Sequence, residues 1–219
     1  MNSPIIQLLV LAGIAVFLIL RLRGVLGTRE GYEKPAVTRP EPNRRSAPEF
    51  DVIEGGPDLD ITDHVEEDSA AAKALAAMKR VDPTFSVGEF LGGARGAYEM
   101  ILMAFEKGDL DQIVPFISED VYEAFASVVD ERQRQGLTVE ANFIGISDMS
   151  LAAAEFDEAT KEGEVSVRFK SEMTSVVRDN GGDIVEGSDK EIKRQKDTWT
   201  FQRKMDAGDP NWKLVATGE

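Results

Sequence analysis

The chain contains no cysteine and a single histidine, His64. Without cysteine there is no disulfide, no thiol nucleophile and no thiolate ligand for a metal. His64 lies in an acidic stretch, and no histidine follows it. The remainder of the chain therefore offers no Ser–His or Cys–His pairing and no His/Cys cluster with metal-ligand spacing. Positive charge is scarce as well: 25 Lys and Arg stand against 40 Asp and Glu, a net charge of −15. Phosphate backbones are bound by clustered Lys and Arg, so this balance argues against nucleic acid as a partner. No glycine-rich phosphate loop is legible, because Gly92, Gly93 and Gly96 fall inside an amphipathic stretch rather than between a strand and a helix. No metal or cofactor is expected. The one catalytic route left is a buried carboxylate with the hydroxyl of Tyr98 or Tyr122 as an oxyanion donor. The expectation is that the protein is not an enzyme.

What charge there is changes sign along the chain. Arg21 to Arg45 holds seven basic residues and three acids, whereas residue 46 onward holds 18 basic residues and 37 acids. Before Arg21 there is no charged side chain, and Ile5–Leu20 is nearly continuous Ile, Leu, Val, Ala and Phe. At 1.5 Å per residue that run spans roughly 24 Å, the short side of a bilayer crossing. A cleaved signal peptide needs positive charge before its apolar run and small residues at the cut. Here Arg21 and Arg23 follow the run at once. The expectation is an uncleaved anchor over residues 4–22, with Ile5, Leu9, Phe17 and Leu20 facing lipid. The basic residues behind it are expected to keep the rest of the chain on the cytoplasmic side, or the equivalent matrix side in an organelle.

Residues 23–68 read as a flexible tether, basic and then acidic. Pro35, Pro40, Pro42, Pro48 and Pro57 interrupt it, and apolar residues are sparse. A coil of about 45 residues reaches roughly 35–40 Å. A domain is expected over residues 69–219. Ser69 opens a short helix with Leu75, Met78 and Val81 at helical spacing, ending at Asp82-Pro83. With Lys73, Lys79 and Arg80 around it, this helix either packs on its own domain or touches membrane or a partner. Next, Phe90, Leu91, Ala94, Ala97, Tyr98, Ile101, Leu102 and Phe105 form one apolar stripe that stops at Gly108. Gly92, Gly93 and Gly96 cost helix propensity, and are expected to permit close packing against a sheet. A short helix broken at Pro115 is expected over residues 109–117. Ser118 is a good N-cap for a further helix ending at Gly136.

From Leu137 the period becomes two. Strands are expected at 138–146 and 164–177, the second with Val165, Val167, Phe169 and Met173 on one face. A charged stretch after Gly187 leads into a hairpin, Asp197–Met205 and Asn211–Gly218, that holds both tryptophans. Arg203 shares parity with Trp199 and Phe201. An inward arginine needs an anion, either a structural carboxylate or an anionic headgroup at a pocket mouth. Helices first and antiparallel strands after is an α+β order, with helices packed on a curved sheet.

The segments Phe90-Leu-Gly-Gly-Ala-Arg-Gly-Ala-Tyr-Glu-Met-Ile101, Ala104-Phe-Glu-Lys-Gly-Asp109, Asp197-Thr-Trp-Thr-Phe-Gln-Arg203 and Pro210-Asn-Trp-Lys-Leu214, with Thr217, resemble in order and spacing the Tim forty-four-like domain family over roughly residues 70–218. The family includes a scaffold of the mitochondrial inner-membrane import motor and membrane-anchored bacterial proteins. The resemblance implies a fold similar to nuclear transport factor two, in which helices cover a strongly bent sheet enclosing a conical pocket. Tyr98, Phe105, Phe169, Trp199, Phe201, Arg203 and Trp212 would line that pocket or its core. It also implies contact with anionic lipid through the helix carrying Lys73, Leu75, Met78, Lys79 and Arg80. The expected function is a membrane-tethered adaptor or scaffold in protein transport or envelope biogenesis at a bacterial inner membrane. Its partners would be the bilayer and a membrane-associated protein. The alternative is a module that binds lipid or a small hydrophobe.

Overall fold

The computed structural model describes residues 58–218. The anchor expected at residues 4–22 and the tether up to residue 57 lie outside the described residues. Four helices come first: α1 (Leu59–Thr62), α2 (Ala70–Val81), α3 (Val87–Lys107) and α4 (Glu119–Arg134). Four strands follow: β1 (Thr138–Phe156), β2 (Glu162–Arg178), β3 (Ile184–Lys204) and β4 (Lys213–Gly218), paired antiparallel in the order β1-β2-β3-β4. The architecture is α+β, as the order of periodicities predicts. Among the described residues no helix is long and apolar enough to cross a membrane.

Each of the three longer helices starts on a serine. Ser69, Ser86 and Ser118 accept from the N–H groups of Ala72, Glu89 and Val121 at 3.0, 3.3 and 3.3 Å. Those donors have no partner within their own helix, so the hydroxyl fixes where the helix begins. Gly108 ends α3 in the left-handed region at φ 73°. The expected helix over residues 109–117 shrinks to one 3-10 turn at Val114–Phe116.

The core lies between α3 and the sheet. Tyr98 and Ile101 meet Val165, Val167, Phe169 and Met173, all essentially inaccessible. Tyr98 stacks on Phe169 with centroids 4.3 Å apart and lies 4.6 Å from Trp199. β1 carries register shifts against β2 at Phe143/Gly145, Ile146/Asp148 and Leu151/Ala153. Bulges of this kind increase local twist and bend the strand. The charged stretch after Gly187 carries no strand expectation, yet β3 runs unbroken through it into the hairpin. Its residues 184–194 are exposed on both faces apart from half-buried Ser188, so they carry no alternation from which a strand could be read.

One alternative that the sequence leaves open is decided, and one expectation is corrected. Helix α2 turns its apolar face inward, with Leu75 and Met78 at 0% exposure. It packs on its own domain and presents no apolar face to a membrane. The acidic end of the expected tether also belongs to the fold: α1 buries Ile61 in the core, and the Asp60 carboxylate binds the start of α3.

Candidate functional site

Helix α3 has two faces. One is the core stripe. The other consists of Gly92, Gly93, Gly96, Ala97 and Met100, spaced i, i+1, i+4, i+5, i+8. A Cβ at Gly92, Gly93 or Gly96 would meet nothing within 4 Å. Among the described residues the glycines therefore admit no neighbouring backbone, contrary to the sequence expectation. They form one side of an open groove of about 690 Å³. The turn Thr84–Ser86, Phe116 and the hairpin turn Pro210–Trp212 supply the rest of the lining, with Phe90 and Phe201 beneath. Phe90 is 4.7 Å from Trp212, and Phe85 is 5.6 Å from it, centroid to centroid. An apolar trough with few polar groups is the usual form of a binding site.

Arg203 and Glu89 are the charged residues of the lining. Arg203 pairs with Asp82, donates to the Pro210 carbonyl at 3.4 Å, and lies 5.3 Å over Trp212 and 5.7 Å over Phe85. The Thr84 hydroxyl and N–H, at 2.6 and 3.0 Å, and the Arg203 guanidinium outweigh burial and hold the Asp82 carboxyl below its ordinary value. Arg203 thus forms a structural ion pair that clamps the Thr84 turn to the sheet.

The opposite end of the same turn is held by Asp60. Its Oδ2 accepts from the Val87 N–H at 2.7 Å, and its Oδ1 accepts from the Gly88 N–H at 2.9 Å and the Ser86 hydroxyl at 3.0 Å. Lys79 bridges Asp58 and Asp60 at 2.7 Å each. Burial raises the Asp60 pKa, but Lys79, the two N–H groups and the hydroxyl more than reverse it, leaving the carboxyl well below its usual range. Of the α2 cations expected to reach outward, Lys79 is committed here, while Lys73 and Arg80 are exposed.

The structure separates the residues expected in a pocket. Tyr98, Phe169 and Trp199 fill the core. Phe105 packs on Phe125 at 4.6 Å under the Arg132 guanidinium. Only Phe201, Arg203 and Trp212 reach the groove. In place of a hollow cone, the space under α3 holds stacked rings. Within it the Tyr98 hydroxyl hydrogen-bonds Ser171 at 2.8 Å and donates to Asp197. Burial first, then Asp197, pushes the tyrosine pKa up, so it stays protonated. This is a carboxylate beside a tyrosine hydroxyl, but neither residue lines the groove. Among the described residues no group of His, Asp or Glu could hold a metal ion.

Sequence reasoning missed Asp60, Phe85, Met100 and Phe116 as site residues. The readable signal was Ser86 with Glu89 three residues later, a capping-box spacing that marks the start of α3 and the turn before it.

A family model described as Tim44-like domain matches residues 71–219. The chain is 26% identical over 148 residues to the human (Homo sapiens) mitochondrial import inner membrane translocase subunit TIM44, covering 66% of this chain and 32% of that protein. It is 22% identical over 161 residues to the Arabidopsis thaliana subunit TIM44-1, covering 71% and 34%. The chain thus spans about a third of the length of these curated relatives. The intermembrane space region of chloroplast protein ARC6 aligns with a TM-score of 0.40 and 11% identity, over 58% of this chain and 94% of that one. So distant a likeness carries no argument.

Proposed function

Because the chain belongs to the Tim44-like domain family, we propose that it is a membrane-tethered scaffold in protein transport, whose groove beside α3 receives an apolar segment of a partner protein. The relatives' names place them in a protein-import translocase of an inner membrane. The uncharged run at Ile5–Leu20 supports an anchor of this chain's own. For a bacterial inner-membrane protein, the basic residues after it support a folded domain on the cytoplasmic side. The proposal contains no catalytic step.

One observation carries the reading. Gly92, Gly93 and Gly96 each lower helix stability by about 1 kcal/mol relative to alanine, and no packing contact in the domain offsets that cost. What they provide is depth in an apolar groove. The test is photocrosslinking from membranes with a reactive side chain at Met100, in the wild type and in Gly93→Leu, which fills the groove. The scaffold reading expects one protein adduct that Gly93→Leu abolishes. Stoichiometric lipid with no protein adduct would replace it with the lipid- or hydrophobe-binding alternative. An adduct indifferent to Gly93→Leu would remove the groove from the account.

A further inference from the structure

The turn Asp82–Ser86 is one wall of the groove, and two carboxylates bracket it. Asp82, at its first residue, is fixed to the sheet through Arg203. Asp60 holds the far end, binding Ser86 and the first N–H groups of α3. Between the brackets the turn projects Phe85, whose ring contacts Phe90 and Trp212 on the other sides of the groove. One of the two brackets therefore does not come from the α2-to-β4 body. It comes from α1, a single helical turn at the point where the leading segment joins the domain.

We infer that α1 is a latch: its docking through Asp60 positions the Phe85 wall, so attachment of the leading segment and occupancy of the groove are one coupled equilibrium. The inference rests on the groove reading above. Its physical content is short. α1 has four residues, buries only Ile61 and leaves Leu59 68% exposed. Such an element is the first to open when the chain leading into it is pulled or bound elsewhere. With Asp60 withdrawn, the Val87 and Gly88 N–H groups lose their acceptor and the first turn of α3 frays. Ser86, which caps Glu89 while donating to Asp60, loses one of its two bonds. The turn that carries Phe85 then keeps one of its two carboxylate brackets, and the ring rests on its contacts with Phe90 and Trp212. By linkage, an occupant that needs Phe85 in place strengthens α1 docking by the factor through which α1 docking strengthens the occupant. A load on the leading segment would thus be felt in the groove without any rearrangement of the sheet.

The test uses the full chain and the apolar dye 1-anilinonaphthalene-8-sulfonate as groove probe. Gly93→Leu is expected to abolish the dye's specific binding. Asp60→Ala is expected to weaken it by about fivefold or more, the lower range of allosteric coupling. Asp58→Ala, which removes the N-cap of α1 and its ion pair with Lys79 but leaves the Asp60 bonds to α3 in place, is expected to weaken it in the same direction by less. In the wild type, saturating dye should slow amide exchange at Ile61–Val65 by the same factor that Asp60→Ala costs in dye affinity, an effect that a merely structural carboxylate would not produce. If Gly93→Leu leaves dye binding intact, the groove reading fails. If Gly93→Leu blocks the dye while Asp60→Ala binds it like the wild type and Ile61–Val65 exchange ignores the dye, the latch is refuted and the groove stands. Should Asp60→Ala fail to fold, the wild-type exchange measurement decides alone.

Discussion

Replacing Gly93 and Gly96 together by alanine should make the protein more stable. Both positions are interior to α3, where glycine is worse than alanine by about 0.5–1 kcal/mol per site because it loses more backbone freedom on folding. Neither new methyl meets any atom within 4 Å, so no overpacking opposes the gain. The double variant should gain about 1–2 kcal/mol, which at about 2–4 °C per kcal/mol for a chain of this size raises the melting temperature by roughly 2–8 °C. Three other glycines are controls at crowded or strained positions. At Gly163 an added Cβ would lie 3.0 Å from the Met78 Cε and Sδ atoms. At Gly187, with φ +76°, it would lie 2.1 Å from the Ser175 carbonyl oxygen. At Gly108, with φ +73°, it would crowd Val129 at 3.2 Å. Alanine at Gly187 and Gly108 should destabilise by at least about 1 kcal/mol, while at Gly163 the flexible Met78 side chain must give way and the change should be smaller. Urea unfolding of the five proteins, wild type included, with midpoints compared at constant slope, is the assay. A loss of stability in Gly93→Ala/Gly96→Ala would mean that the α3 face is packed against something, and the open groove would be wrong.

Asp60→Ala should lose about 2 kcal/mol, from two acceptors at a helix start and the attraction of its charge to the helix dipole, against about 0.5 kcal/mol for Asp58→Ala. Since the Asp60 pKa is lowered from 3.8 by folding, the unfolded chain binds that proton more readily. The stabilisation is in place above about pH 4 and is lost as the pH falls through the folded value, so an acid titration of Asp60→Ala should be flatter than that of the wild type. Tyr98 behaves in the opposite direction: its pKa rises from 10.0 on folding, so its contribution holds below pH 10 and fades as the pH climbs through the folded value. Absorbance titration should show Tyr98 ionising only as the domain unfolds, and Tyr98→Phe should cost about 1–3 kcal/mol by removing the hydroxyl that Ser171 and Asp197 share. Arg203→Met should cost about 3 kcal/mol in a urea melt, because it leaves the Asp82 carboxylate without its partner. Arg203→Lys should recover little of it, since the planar guanidinium both pairs and stacks.

The helices and strands were legible wherever one face is buried and the other wet. The Phe90–Phe105 stripe and the Val165–Met173 alternation each announce a period because burial is one-sided. Residues 184–194 of β3 gave no such signal, being exposed on both faces apart from half-buried Ser188. Helix α1 was invisible for a different reason: four residues after a proline, among acids, are too few to show a period, and its hold on α3 comes from one carboxylate 27 residues away in sequence from Val87. The groove was misread because a glycine reports only that a side chain is missing. Whether a backbone or open space lies opposite is a tertiary fact. The family resemblance carried a hollow cone with it, and here Tyr98, Phe169 and Trp199 occupy that volume.

The two tryptophans have ended up in unlike surroundings, and that makes the protein its own optical instrument. Trp199 is 4% exposed, beside the stacked rings of Tyr98 and Phe169, so its emission should be blue-shifted and closed to dissolved quenchers such as acrylamide. Trp212 is half-buried at the groove, beneath the Arg203 guanidinium. It should emit at longer wavelength and be quenched until something settles over it. With no label attached, the red component follows the occupancy of the groove and the blue component follows the integrity of the core, in one spectrum.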